Sequence, residues 1–179
     1  KVRDDANFEI SVVNYEDNPN YGEPVPRQRD RTQTTEEIYN NEQSLNLVVR
    51  NLRDGEAKEA VKYTGRTIDM FNYRTLKMMV HGEDGYDAVK GYKAFSYRSL
   101  TDYDAEFYFR FGTDSLNYYE YRAPIRPGWR GNDIVIRFAD LTSLKALLDT
   151  NKTAWMYVPN GVEGAKYRIH GNPTLTGVK

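Results

Sequence analysis

The sequence contains no cysteine, which excludes disulfide bridges, thiolate nucleophiles and zinc sites built from cysteine. It also has no apolar run approaching the ~20 residues that a transmembrane helix requires, and it shows no signal peptide. This segment is therefore not expected to span a membrane itself. Lys1 is not an initiator methionine, so we expect the chain to be a processed product or a piece of a longer protein.

The chain also lacks an excess of charge of one sign. The 25 basic and 26 acidic side chains leave a net charge of −1, so no overall field attracts nucleic acid or an acidic membrane surface. A short basic run, Arg27–Arg31, is interrupted by Asp30 and has no interleaved aromatic residue for base stacking. Nucleic acid is therefore not expected among the partners.

Residues that usually carry catalysis are few. The two histidines, His81 and His170, lie far apart in sequence without the spacing of metal ligands, and we interpret them as surface residues. The sequence has no Gly-x-Ser-x-Gly motif to present a nucleophilic serine. We therefore assign no catalytic residue, no cofactor-binding residue and no metal ligand, and we predict that the chain is not an enzyme.

Carboxylates cluster at two places, Glu83/Asp84/Asp87 and Asp102/Asp104. Paired carboxylates perform glycoside hydrolysis, and loops rich in aspartate supply oxygen ligands to calcium. The first cluster does not match the twelve-residue loop of an EF-hand. We interpret both clusters as solvated loop charge, with a structural calcium ion and a glycosidase pair as the alternatives.

Alternating apolar and polar residues predict strands with one buried face. The predicted strands are 7–13, 45–52, 76–81, 105–112, 117–123, 133–138 and 167–170. The first two are expected to bury the faces formed by Phe8, Ile10 and Val12 and by Leu45, Leu47 and Val49. The clearest strand, 105–112, turns Phe107, Phe109 and Phe111 inward and forms a hairpin with 117–123.

One helix is predicted over Asp140–Leu148, where Leu141, Leu144 and Leu148 form an apolar stripe. Asp140 is the predicted N-cap, because its carboxylate can accept hydrogen bonds from the first backbone amides. Many strands without regular intervening helices are typical of an all-β fold. The sequence therefore predicts an antiparallel β-sandwich with one short helix.

The sequence also predicts how the chain is divided. Residues 14–35 are rich in proline, glycine and charge and are typical of a linker. An N-terminal strand and linker are therefore expected over residues 1–38, and the sandwich domain over 39–179. Near the end of the chain, Thr174–Val178 is expected to pair with a sheet.

Tyrosine is abundant, with fifteen residues in the chain, and eight of them crowd between positions 86 and 121. Tyr119 and Tyr121 are predicted to be core residues opposite Phe107 and Phe109 across the hairpin. Candidates for contact with a partner are the tyrosines of the long loop 82–104 and one tryptophan: Tyr86, Tyr92, Tyr97, Tyr103 and Trp129. For Trp129 a buried lid over one end of the sandwich is the favoured interpretation and a binding platform the alternative.

Three segments together resemble a known family. They are Asn41–Leu45 (NEQSL), Tyr73–Glu83 (YRTLKMMVHGE) and Gly171–Thr176 (GNPTLT). Their order, with a phenylalanine strand, a tyrosine hairpin and a D-L-T-x-L-K helix between the last two, is similar to sandwich domains of the SprA/Sov family. Members of that family are very large outer-membrane translocons of the type IX secretion system that also serve gliding motility. The resemblance covers residues 39–179.

The resemblance implies a jelly-roll-like or galactose-binding-like sandwich that is one soluble domain of such a translocon. Its expected role is structural or docking, with the rest of the parent translocon, secretion-machinery proteins and cargo as partners. Its expected location is the outer membrane, on the cell surface or facing the periplasm. Because exposed aromatic rings also stack on sugars, a carbohydrate-binding module of a secreted or cell-surface protein is the alternative.

Overall fold

The computed structural model describes residues 7–19, 21–26, 42–83, 86–87, 92–93, 95–148 and 153–179. Within these ranges there are twelve strands and one helix. They are β1 Asn7–Asn14, β2 Gln43–Arg50, β3 Thr75–Met78, β4 Tyr86–Asp87, β5 Tyr92–Lys93, β6 Tyr97–Ser99, β7 Asp102–Tyr103, β8 Glu106–Asp114, β9 Asn117–Pro124, β10 Ile134–Arg137, α1 Phe138–Ala146, β11 Thr153–Tyr157 and β12 Lys166–His170. The chain divides into two compact units, residues 1–62 and 63–179. The boundary predicted at residue 38 lies outside the described residues and stays a prediction.

In the first unit β1 and β2 form an antiparallel two-stranded ribbon. Its apolar residues face one another in the pairs Phe8–Val49, Ile10–Leu47 and Val12–Leu45, so they share one face as the alternation predicts. The predicted burial of that face is wrong, because Ile10 and Val12 remain 52% and 59% exposed. A ribbon supplies only one layer, and apolar side chains are buried only between two.

The second unit contains a four-stranded antiparallel sheet in the order β11–β12–β9–β8. Tyr119 and Tyr121 are buried on its inner face, as predicted. Their cross-strand partners are Phe111 and Phe109, one pair further along than expected. The hairpin turn falls at residues 115–116 after a register shift between Gly112 and Asp114, which explains the different pairing.

A second layer covers the inner face of this sheet. It consists of the β3–β10 pair and the helix α1. Tyr167 of β12 joins the two layers, since its hydroxyl accepts the N–H of Arg137 and donates to the carbonyl of Val135, both at 3.2 Å. Tyr167 and Ile136 are fully buried between the layers. The predicted antiparallel β-sandwich with one short helix is therefore confirmed, while a jelly-roll strand order stays a prediction.

The helix differs from its prediction at its start. It begins at Phe138, directly after β10, and its N-cap is Arg137 without a side-chain hydrogen bond. Asp140 lies within the first turn, so its prediction as N-cap is wrong. The amide of Phe138 donates to the carbonyl of Arg74 instead, because the preceding strand brings a backbone acceptor to the helix start. The predicted apolar stripe is confirmed by the burial of Leu141 and Leu144.

The segment Thr174–Val178 contains no regular strand. Separate backbone hydrogen bonds hold this segment and the residue after it. The carbonyls of Leu175 and Val178 accept the amides of Met70 at 2.7 Å and Ile68 at 2.8 Å, and the amide of Lys179 donates to the carbonyl of Gly112 in β8 at 2.9 Å. The predicted pairing is therefore limited to an isolated bridge. The edge of β8 that faces away from β9 therefore receives a backbone hydrogen bond, from the amide of Lys179 to the carbonyl of Gly112.

Candidate functional site

The outer face of the four-stranded sheet is the candidate site. Alternation along β12 buries Tyr167 and Ile169 completely, so the residues between and beside them point outward. The register extends this face across all four strands. Its residues are called the outer face below: Glu106, Tyr108, Arg110, Gly112, Tyr118, Glu120, Arg122, Thr153, Trp155, Tyr157, Lys166, Arg168 and His170.

The centre of the outer face is an ion-pair cluster around Glu120, which is only 1% exposed. Its carboxylate accepts hydrogen bonds from the Nε atoms of Arg110 at 2.6 Å and Arg122 at 3.1 Å. Arg122 also donates to Glu106 at 2.9 Å. Burial by itself raises the pKa of Glu120, but the hydrogen bonds from Arg122 and Arg110 outweigh it and leave the pKa below its usual value. The carboxylate is therefore held in its ionised form.

Replacement of Glu120 by glutamine is expected to destabilise the fold by about 2 kcal/mol at neutral pH, the range found for hydrogen bonds to charged groups. Since folding lowers the pKa of Glu120, its contribution is fully present above the ordinary value of 4.5 and is lost as the pH falls through the folded value. The difference between wild type and Glu120→Gln should therefore shrink in acid. Urea unfolding over this pH range measures it.

The exposed Glu163 supplies the matched control, because Glu163→Gln removes an equal charge from a loop. This variant is expected to unfold like the wild type at every pH. An equal effect of both substitutions, or a Glu120→Gln difference that grows in acid, would contradict the assignment.

Aromatic rings enclose the two arginines on the β8–β9 half of the outer face. The guanidinium of Arg110 lies 4.7 Å from the ring centres of both Tyr108 and Tyr118, and that of Arg122 lies 5.0 Å from Tyr108. Cation–π contacts of this kind hold the planar guanidinium groups in place. This half of the face therefore has its charges and rings already engaged with one another.

The β11–β12 half is open. Trp155 and Tyr157 are each 60% exposed, and their rings meet edge to face at 5.5 Å and 83°. The ammonium group of Lys166 lies 5.7 and 5.5 Å from the two ring centres. Arg168 is exposed opposite Trp155 in the strand register, and within the described ranges its guanidinium has no hydrogen-bond partner. Exposed tryptophan, tyrosine and arginine side chains are typical of protein contact surfaces.

The tyrosines predicted to contact a partner are placed elsewhere in the second unit. Tyr97 and Tyr103 are half-buried and stacked, with ring centres 6.4 Å apart. The guanidinium of Arg126 lies 4.4 Å from the Tyr97 ring and donates to its hydroxyl. Tyr86 and Tyr92 pair with neighbouring positions in β5 and β4, but their side chains lie outside the described part of the chain. A partner role for these four tyrosines stays a prediction.

Trp129 is half-buried in the loop between β9 and β10, with its ring edge-on to exposed His81 at 4.9 Å. Whether Trp129 acts as a lid over one end of the sandwich or as a binding platform stays a prediction. The second histidine, His170, lies on the outer face, where its ring centre is 5.3 Å from that of Tyr118. Among the described residues no group of three or more side chains could hold a metal ion.

The carboxylates Asp102 and Asp104 share one arginine. Arg98 donates to Asp102 at 2.6 Å and to Asp104 at 3.0 Å. The hydrogen bond from Arg98 lowers the pKa of Asp102, and the amide of Ser96, followed by Arg98, lowers the pKa of Asp104. A glycosidase needs one carboxyl group with a raised pKa as its acid, and this pair has none. The other cluster includes Asp84, outside the described ranges, so calcium there stays a hypothesis.

The sequence contains two signals for the outer face that its interpretation missed. The strand predicted over 167–170 places Arg168 and His170 on one side, but alternation within this strand does not show which residues of other strands lie beside them. Trp155 and Tyr157 alternate with Ala154 and Met156, where both faces carry apolar atoms and the usual polar contrast is weak. Register across four strands, which a single sequence does not supply, brings these residues together.

Comparison with known proteins finds one family. The family model SprA_N, described as a motility related/secretion protein, matches residues 1–176. No curated protein and no solved structure matches the chain. In the part of the chain that the structure describes, no helix has the length and apolar character needed to cross a membrane.

Proposed function

Because the chain belongs to the SprA_N family of motility-related and secretion proteins, we propose that it is a non-catalytic β-sandwich module of a large outer-membrane protein-secretion translocon of the type IX kind. Its role is structural or docking. Its partners are the remainder of the translocon, proteins of the secretion machinery and cargo. It acts at the outer membrane, on the cell surface or on the periplasmic side.

The observation that carries the docking role is the open half of the outer face. Trp155 and Tyr157 expose large rings on an ordered strand, and water disfavours such exposure unless a partner covers it. The buried carboxylate at the centre of the outer face supports a role without catalysis. Glu120 is ionised between Arg110 and Arg122, so it is a poor proton donor at neutral pH.

Carbohydrate binding is the second candidate, and the same exposed rings favour it. Sugar rings stack on flat aromatic surfaces, and neighbouring coplanar rings extend such a platform. The planes of Trp155 and Tyr157 are nearly perpendicular, so one sugar ring cannot lie flat on both. A glycan array with the isolated chain distinguishes the two functions, since binding of a defined glycan at these rings would favour the second.

The proposed role is tested by replacing Trp155 and Tyr157 with alanine in the native gene. We expect secretion and surface motility to fall while the protein remains folded and present at its normal level, because the outer face loses its contact area without loss of core packing. Leu116→Ala is the control, since Leu116 is a similarly exposed apolar residue at a hairpin turn. Normal secretion by the double variant would contradict a docking role for this face.

A further inference from the structure

We propose that β11 binds an extended acidic polypeptide strand, which adds to the open edge of the four-stranded sheet. This inference deepens the docking role proposed above and rests on it. It names both the chemistry of the partner and the way in which the partner is held. The three observations that support it are the character of the β11 edge, the charge beside that edge and the alternation of side chains along it.

The two edges of the sheet differ. β8 carries the charged residues Glu106 and Arg110, has a register shift near Gly112, and receives the amide of Lys179 there. Charges and irregular register are the usual features that protect an edge strand from further pairing. β11, with the sequence Thr-Ala-Trp-Met-Tyr, contains no charge and no proline and pairs with β12 in regular register. Among the described residues no strand pairs with its other side.

The charge beside β11 favours an acidic partner. On the outer face Glu106 and Glu120 are both bound by arginines. In the register of β12 and β9, Lys166 lies opposite Arg122 and Arg168 lies opposite Glu120. The carboxylate of Glu120 accepts its hydrogen bonds from Arg110 and Arg122, so among the described residues the guanidinium of Arg168 has no hydrogen-bonded carboxylate. The ammonium group of Lys166 lies over the rings of β11, which carries its positive charge from β12 toward the edge. An acidic side chain on an added strand would meet this charge.

The alternation along β11 specifies the pattern of the partner. An added strand would lie about 4.8 Å from β11, with its side chains alternating between the two faces in step with those of β11. On the outer side its residues would lie beside Trp155 and Tyr157 and near Lys166. On the inner side they would lie beside the partly buried Ala154 and Met156. The matching strand therefore alternates acidic and apolar residues.

The experiment uses the full chain and a peptide of about nine residues, a common strand length, that alternates glutamate and valine. Binding is followed by the fluorescence of Trp155 in a Trp129→Phe background, in which it is the single tryptophan. Three comparisons accompany it: a lysine–valine peptide of the same pattern, the glutamate–valine peptide methylated on alternate backbone nitrogens, and the chain with Lys166→Glu and Arg168→Glu. Lys77→Glu, an exposed charge reversal on β3, is the control for a charge reversal away from the outer face.

We expect the glutamate–valine peptide to bind and the lysine–valine peptide to bind at least about tenfold more weakly. The double charge reversal should invert this preference, whereas Lys77→Glu should leave it unchanged. Backbone methylation should abolish binding, because main-chain hydrogen bonds hold an added strand. Equal binding of the methylated peptide, equal binding of both charge patterns, or no binding would each overturn the inference. Displacement by an acidic oligosaccharide without sensitivity to methylation would overturn it too and assign the face to a glycan.

Failure of this inference is distinguishable from failure of the proposed function. If Trp155→Ala/Tyr157→Ala impairs secretion but the acidic peptide does not bind, the docking role stands and only the partner assigned here is wrong. If the peptide binds as expected but the double variant secretes normally, the edge captures strands and the proposed role in the translocon is wrong.

Discussion

Replacement of Tyr167 by alanine is expected to cost about 4 kcal/mol of folding free energy, in the range found for buried aromatic residues. Tyr167 is 0% exposed, and its ring packs against that of Tyr121 at 6.1 Å. Its hydroxyl also satisfies the amide of Arg137 and the carbonyl of Val135 in the opposite layer. The substitution therefore opens a cavity and breaks the hydrogen bonds that join the two layers.

Two further variants separate these contributions. Tyr167→Phe keeps the ring and removes the hydroxyl, so it should cost about 1–3 kcal/mol for the unpaired backbone groups. Tyr73→Ala removes a tyrosine that is 65% exposed and should change the free energy of unfolding by less than about 0.5 kcal/mol. Urea unfolding of all three variants measures the differences. A Tyr167→Ala variant as stable as Tyr73→Ala would show that the two layers do not share this core.

Replacement of Gly171 by alanine is expected to cost about 3 kcal/mol, from backbone strain and overpacking together. Gly171 follows β12 with φ of +68°, a conformation that favours glycine. A Cβ atom there would overlap the backbone carbonyl oxygen of Leu116 in the β8–β9 turn. The side chain of Asn117 accepts the amide of Asn172 at 2.8 Å, which holds the two segments together, so the overlap cannot be relieved by separating them.

Thermal unfolding measures this effect, with Gly65→Ala as the control. Gly65 has no left-handed φ, and no atom lies within 4 Å of the position that a Cβ atom would occupy there, so its replacement by alanine should leave the melting temperature unchanged. For a domain of this size 3 kcal/mol corresponds to a fall of about 6–12 °C in melting temperature. Equal melting temperatures for the two variants would contradict the close approach of Gly171 to the turn.

The sequence predicted the sheet where its two faces differ in polarity. Phe107, Phe109 and Phe111 alternate with polar residues, and this contrast correctly identified β8 and its inner face. It did not identify β11, because Trp155 and Tyr157 are as apolar as the residues on the buried side. Hydrophobicity alone does not distinguish an exposed aromatic side chain that contacts a partner from one that is buried in the core.

Burial proved harder to predict than strand position. Alternation correctly assigned the apolar face of each strand that carries Ile10 or Leu47, but it wrongly predicted that these faces are buried, since the pattern does not reveal whether a second layer is present. The helix start was also missed, because its backbone acceptor at Arg74 is distant in sequence. The outer face could not be predicted for the same reason, since its four strands bring together residues that are far apart in sequence.

The four-stranded sheet carries two exposed rings on β11, Trp155 and Tyr157, and two rings buried between the layers, Tyr121 and Tyr167. Hydroxyl-radical footprinting of the folded chain, read by mass spectrometry, measures both groups in one experiment. We predict rapid oxidation of Trp155 and Tyr157 and strong protection of Tyr121 and Tyr167. Protection of Trp155 and Tyr157, or oxidation of Tyr121 and Tyr167 at a comparable rate, would contradict this division and the docking role that depends on it.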